Sequence, residues 1–214
     1  MGRAPVNPRK LLTGLGLAAG TAGLLIEFVF SMQISLAAGR DIPGILGSFF
    51  SFYTILTNIV LVLIYLSEVL PSAGLALFRH PVVRGMMAAN IALVALYVFF
   101  VLRFLGSLDG LFLLADNVLH YLCPVLYLLW WLVAQPHGRL RWGNLPVMLA
   151  PTLGYFIYAM ARGAWVQEYP YPILNAIELG YAQVALNAVY MTAGLAVLTA
   201  AVIALDRLLA RTSP

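Results

Sequence analysis

Apolar residues along this chain fall into six long runs, separated by short segments rich in glycine, proline and charge. A helix that crosses a bilayer needs roughly 20 apolar residues. The runs cover about Leu11–Ala38, Gly47–Leu70, Pro81–Phe104, Leu111–Ala134, Leu145–Ala161 and Ala182–Leu205. Helix breakers punctuate them: Gly39 to Gly44, Pro71-Ser72-Ala73-Gly74, Gly106 to Gly110, Gln135-Pro136-His137-Gly138 and Tyr169-Pro170-Tyr171-Pro172. Pro81 and Pro146 stand at helix starts, where a missing N–H costs nothing. Asn144 is placed to cap the fifth helix. The pattern predicts an all-α polytopic membrane protein, with residues 1–214 forming a single domain of six transmembrane helices. No soluble domain, long linker or internal repeat is expected.

Composition agrees with the pattern. The chain is 63% hydrophobic and 9% charged, where a soluble domain carries about 25% charged residues. The net charge of +4 is spread in ones and twos beside the apolar runs, so no nucleic-acid partner is expected. The one cysteine, Cys123, excludes an intrachain disulfide framework and a Cys-rich metal or iron–sulfur site. Eleven arginines against one lysine, with abundant Ala, Leu and Gly, suit a GC-rich bacterial genome. Arg3, Arg9 and Lys10 ahead of an apolar run mimic a signal peptide. That run, however, exceeds the usual h-region of about 7–15 residues and contains Glu27, so it is expected to stay as the first span.

Basic residues also set the expected orientation. With the N-terminus inside, Arg3, Arg9, Lys10, Arg79, Arg84, Arg139, Arg141, Arg207 and Arg211 fall on the inner side, against Arg40, Arg103 and Arg162 outside. This asymmetry predicts cytoplasmic N- and C-termini in a multi-pass protein of a bacterial inner or plasma membrane. Trp130, Trp131 and Trp142 then suit an inner aromatic belt, and Trp165, Tyr169 and Tyr171 an outer one.

The polar residues inside the spans carry the candidate chemistry, because such groups are costly in hydrocarbon. At 1.5 Å per residue, Thr54, His120 and Glu27 each lie roughly 10–16 Å below the outer end of their helix, with Thr57 and Asn58 about one turn deeper. Ser51, Thr54, Asn58 and Tyr65 share one face of the second span, and Asp116, His120 and Cys123 one face of the fourth. Two polar stripes at matching depth predict a shared cavity toward the outer side. Each residue also has a plain structural reading. Thr54 and Thr57 can bond back to a helix carbonyl, Glu27 can be a buried acid bonded to Asn90 or Asn187, Asp116 can face Arg103, and Cys123 can be a small buried apolar group.

Several chemistries are poorly served. His120 is the only histidine within a span, which argues against bis-histidine haem ligation and a histidine-rich zinc or di-iron site. No metal or organic cofactor is expected. The sixth span lacks the histidine that a rhomboid-type protease needs. A threonine nucleophile with a histidine base remains, with Asp116 one turn before His120 to hold the ring in the right tautomer. The competing class is a non-enzymatic membrane binding or transport protein, whose polar patch is a midplane ligand or proton site.

Three stretches carry a family resemblance: Phe50-Ser51-Phe52-Tyr53-Thr54-Ile55-Leu56-Thr57-Asn58, Asn117-Val118-Leu119-His120-Tyr121-Leu122-Cys123-Pro124, and Arg162-Gly163 followed by Tyr169-Pro170-Tyr171-Pro172. With these the chain resembles the six-span androgen-induced and androgen-dependent TFPI-regulating (ADTRP-like) membrane proteins, most of all their bacterial branch. The animal members are threonine hydrolases that cleave fatty-acid esters of hydroxy fatty acids with one intramembrane Thr and one His. The resemblance implies a lipid or fatty-acyl ester substrate and gives the histidine role to His120. It gives the threonine role to Thr54, which follows an aromatic residue, with Thr57 one turn on as the alternative. Asp116 or Asn117 is the expected orienter, and Asn58 the candidate for polarising the substrate carbonyl. The sequence carries no signal of oligomeric state.

Overall fold

The computed structural model describes residues 7–104 and 110–212, and every element among them is helical. Eight α-helices are described: α1 (Pro8–Ala37), α2 (Ile42–Phe49), α3 (Tyr53–Val69), α4 (Pro81–Phe100), α5 (Gly110–Asn117), α6 (Cys123–Ala134), α7 (Leu145–Val166) and α8 (Ala176–Thr212). A π-helical turn, Val118–Leu122, joins α5 to α6, so that Gly110–Ala134 is one span. Among the described residues, five helices are long and apolar enough to cross a membrane, and α2 with α3, bent by 74°, makes a sixth when counted as one span. The protein is an all-α polytopic membrane protein. Of the expected turn at Gly106 to Gly110, only Gly110 is described, and Arg3 also lies outside the described residues.

The second span departs from the continuous helix expected over Gly47–Leu70. Helix α2 starts on Asp41, whose carboxylate accepts Gly44 N–H at 3.2 Å, and stops at Phe49. Ser51 closes the stop locally: its hydroxyl donates to the Ser48 carbonyl at 2.6 Å, a side-chain bond that competes with helix continuation. The bend frees backbone carbonyls, which need donors within a membrane. Two tyrosines of α7 supply them, Tyr155 Oη donating to Ser51 O at 2.9 Å and Tyr158 Oη to Phe50 O at 3.5 Å. Thr54 therefore lies in the first turn of α3 and not in mid-helix.

Helix α1 packs through small residues. Thr13, Gly16, Gly20 and Gly23 are its buried positions, following the i, i+3, i+7, i+10 line of one face. Side chains of Tyr65 and Val62 on α3 and of Val118 and Leu119 fill the space a Cβ would need at the three glycines. Such stripes let membrane helices approach closely. Thr13 adds a polar pin: Trp130 Nε1 donates to its Oγ1 at 2.9 Å, and that hydroxyl donates to Arg9 O at 2.8 Å. Trp130 and Trp131 are thus buried in the core with Tyr65 and Tyr127, and not at an aromatic belt. Trp142 and Trp165 are exposed.

The end of the bundle that carries Asn7 and α8's last turns is held by two polar clusters. Arg84, read from sequence as a boundary charge, is buried in α4 and donates to Glu68, Gln135 and Phe78 O at 2.6, 2.8 and 2.9 Å. Arg9 pairs with the other oxygen of Glu68. Asp206 accepts Leu140 N–H at 2.8 Å and meets His137 Nδ1 at 3.2 Å, fixing the turn after α6 to α8. Asn144 does not cap α7 with its side chain; its Oδ1 accepts Arg141 N–H at 2.8 Å, closing the short turn before the helix. The fifth span runs on to Val166, and a non-helical Gly180 (φ 75°) marks where the sixth becomes continuous.

Candidate functional site

Two local breaks in helix geometry build the site. The first is the α2–α3 bend, which leaves the opening N–H groups of α3 without intrahelical acceptors. The second is the π turn around His120. Pro124 lies four residues after His120 and has no N–H to give its carbonyl, and a proline ring clashes with the carbonyl at that spacing. The backbone widens instead: Cys123 N–H bonds to Val118 O, five residues back. Single π turns inside α-helices recur at functional sites.

The sequence places Thr54 and His120 at similar depth, and the structure brings them into contact. His120 Nε2 lies 3.0 Å from Thr54 Oγ1. His120 Nδ1 lies 2.8 Å from Asp116 Oδ1 and 3.0 Å from the Asp116 carbonyl. Two acceptors at Nδ1 hold the ring proton there and leave the Nε2 lone pair to accept from the Thr54 hydroxyl. Thr54 is 5% exposed, and the side chains of His120 and Asp116 are 14% and 27% exposed, so the hydrogen bonds sit in surroundings of low dielectric. Asp116 faces His120 and not Arg103, whose guanidinium lies over the rings of Phe99 and Phe104.

The other expected site residues take different places. Thr57 donates to the Tyr53 and Thr54 carbonyls at 2.9 and 3.0 Å, the back-bonded packing role. Asn58 uses its amide donors on Thr54 O at 2.9 Å and Leu119 O at 3.3 Å, clasping α3 to the π turn, so it has none left for a substrate carbonyl. Asn117 is exposed and makes no side-chain hydrogen bond among the described residues. Glu27 meets neither Asn90 nor Asn187. It lines a cavity of about 270 Å³ together with Ser31, Thr54, Asp116 and His120. Asn90 instead joins Tyr53 and Thr152 in a half-buried triangle, with Thr152 Oγ1 at 2.7 Å from both partners. Cys123 is a buried member of an apolar cluster with Phe49, Ile55 and Leu119.

Tyr171 is the site residue that sequence reasoning assigned to an aromatic belt. Its hydroxyl accepts Thr54 N–H at 3.2 Å and lies 3.4 Å from Thr54 Oγ1. The ring is held edge-on by Phe52 and Tyr97. The loop that carries it is pinned by Glu168, which pairs with Arg40 at 2.8 Å and Arg162 at 3.2 Å. The Arg40 guanidinium, with help from Arg162, holds the Glu168 carboxyl below its ordinary range. The Tyr-Pro-Tyr-Pro run was the available signal, since flanking prolines restrict the chain on either side of Tyr171.

A second cavity, about 90 Å³, meets the first at Thr54, Leu102 and Tyr171; its surface is almost wholly apolar, although Tyr53, Tyr97, Tyr155, Thr152 and Thr192 also line it. Among the described residues, no group of three or more His, Cys, Asp or Glu is placed to hold a metal ion. No family model, curated protein or solved structure matches this chain.

Proposed function

We propose that this chain is an integral-membrane hydrolase of lipid-like esters. Thr54 is the nucleophile, His120 the general base and then general acid, and Asp116 the residue that orients the imidazole. The observation that carries this reading is the Asp116–His120–Thr54 chain of hydrogen bonds, 2.8 and 3.0 Å long, opening into a cavity. Threonine needs a base to become nucleophilic, and an imidazole with its proton fixed on Nδ1 is suited to that task. The motifs around Thr54 and His120 that resemble the ADTRP-like proteins support the same assignment and an ester of the fatty-acid-ester-of-hydroxy-fatty-acid type.

In the first step Thr54 Oγ1 attacks the acyl carbon as its proton passes to His120 Nε2. The carbonyl π pair moves onto oxygen. That oxyanion forms beside the first turn of α3, whose dipole favours negative charge. The Tyr171 hydroxyl accepts the Thr54 N–H and lies 3.4 Å from Thr54 Oγ1, so its own proton turns from that oxygen to the oxyanion. Collapse breaks the ester C–O bond, and the alcohol leaves with the proton from His120. Water then attacks the acyl-threonine, giving its proton to His120, and the carboxylic acid departs as Thr54 Oγ1 regains that proton.

The experiment is hydrolysis of a medium- or long-chain 4-methylumbelliferyl ester by the purified protein in nanodiscs, paired with fluorophosphonate labelling. Turnover, and a phosphonyl adduct on Thr54, are the expected results. A folded protein with neither result would support the binding or transport reading, in which Glu27 and Asp116 form a midplane ligand or proton site. We also propose a bacterial inner or plasma membrane location with both termini cytoplasmic, supported by the basic-residue asymmetry.

A further inference from the structure

The geometry points to a fixed orientation of the substrate: the acyl chain enters the apolar chamber between α4, α7 and α8, and the alcohol limb lies in the His120 chamber. This inference rests on the hydrolase reading and adds which cavity takes which half of the ester. Thr54 borders both cavities, whereas His120 and Asp116 border only the larger one. An ester whose carbonyl carbon sits at Thr54 Oγ1 must therefore send its two limbs to opposite sides.

Proton transfer decides which limb goes where. The leaving oxygen must receive a proton from His120 Nε2, and a proton donor has to lie within hydrogen-bond reach of its acceptor. The alcohol limb consequently lies on the His120 side, beside Ser31 and Glu27, where the attacking water also finds its base. The acyl limb is left with the opposite chamber. That chamber suits it chemically: Leu93, Val94, Phe156, Leu174, Ala188 and Met191 face it, and polar groups contribute little of its surface. A methylene chain is favoured in such a lining by about 0.8 kcal/mol for each CH₂ removed from water.

Size adds a constraint. The chamber encloses about 90 Å³, less than the roughly 150 Å³ cavity that holds a benzene. It therefore grips only the carbons nearest the ester. The remainder of a long chain leaves past Leu153, which lines the chamber and is 45% exposed on the bundle surface. The acyl site is a collar open to lipid tails, and rate should rise over the first few acyl carbons and then level off.

Two paired variants read the orientation in the full-length protein in nanodiscs. Ala188→Trp fills the apolar chamber and should lower the ratio of kcat/KM for long over short acyl esters at least tenfold. Ser31→Phe narrows the other chamber and should leave that ratio near the wild-type value while discriminating against bulky alcohols. The opposite assignment of the two effects overturns the proposal. A second measurement is independent of turnover and of those variants folding: photolysis of the wild-type protein with palmitate carrying a diazirine near its carboxyl. Cross-links on Met191, Phe156 or Val94 are expected. Cross-links on Phe49 or Phe112 of the larger cavity, or labelling spread over the lipid-facing surface, overturn it. If the wild type cleaves no ester, the hydrolase reading fails by itself, and the cross-links still decide whether an acyl chain occupies this chamber.

Discussion

The Tyr171 hydroxyl accepts the backbone N–H of Thr54 at 3.2 Å across 117 positions of sequence. This bond ties the loop before α8 to the first turn of α3, and it directs the phenol proton toward the candidate nucleophile, 3.4 Å away. Tyr171→Phe keeps the ring contacts with Phe52 and Tyr97 and removes only the hydroxyl. The expected result is a fall in kcat of roughly 10–100-fold with little change in KM, since an oxyanion donor acts chiefly in the transition state. An unchanged kcat in a folded variant would leave Tyr171 a packing residue only.

Thr54→Ala and His120→Ala should each abolish ester hydrolysis. The double variant should be no slower than either, because groups that act as one unit are not additive. Thr57→Ala should keep most of the rate, because its hydroxyl is occupied with the Tyr53 and Thr54 carbonyls and faces no cavity partner. Steady-state rates on a single fluorogenic ester separate these cases. Full activity in a folded His120→Ala protein would end the hydrolase reading.

Local hydropathy made the spans legible, because a bilayer demands about the same apolar length wherever a helix crosses it. Matching depths also pointed to Thr54 and His120, since rise per residue converts position into height. What the sequence hid were the devices that bring them together. The bend before Thr54 depends on Tyr155 and Tyr158, about a hundred residues away, accepting the task of satisfying its carbonyls. Asn58 looked like a substrate donor because its type and face were right, yet the π turn offered it the Leu119 carbonyl first. The burial of Trp130 and Arg84 was hidden for a related reason. Each sits near a span boundary in sequence, but Thr13 and Glu68 on other helices supply polar partners that allow burial.

Pro124→Ala probes the π turn. The substitution returns an N–H to the His120 carbonyl and removes the ring clash, so Val118–Leu122 should relax toward regular α-helix. An interior proline costs about 3 kcal/mol, so the thermal midpoint should rise. Activity should fall at least roughly tenfold, since a displacement near 1 Å at a reacting group is costly in rate. A variant that is both more stable and fully active would show that the wider turn does not serve His120.

Topology has its own measurement. A cysteine introduced at Gly39, between α1 and α2, should react with an impermeant maleimide from outside intact cells, and a reporter fused after residue 214 should read cytoplasmic. Cys123 is buried and should give little background. Labelling of Gly39→Cys only after permeabilisation would invert the proposed orientation and move the site to the inner leaflet.

The Glu168 clasp predicts a pH dependence with a definite sign. Its carboxyl is held below the ordinary value of 4.5 by Arg40 first and Arg162 after it. A depressed acid stabilises the folded state fully above its unfolded pKa and loses that contribution as pH falls through the folded value. The side chain is 39% exposed, so each pair should be worth no more than about 1 kcal/mol after solvent screening. Glu168→Gln should therefore lower the thermal midpoint modestly at pH 7 and make almost no difference once the pH has fallen below the depressed folded-state value, where the wild-type carboxyl is itself neutral. Because the same loop carries Tyr171, the variant should also lose ester hydrolysis at pH 7 in proportion to how far the phenol drifts from Thr54. A Glu168→Gln protein whose stability deficit stayed constant as the pH fell from 7 through the range in which the wild-type carboxyl titrates would assign Glu168 a packing role in place of a charge-based one.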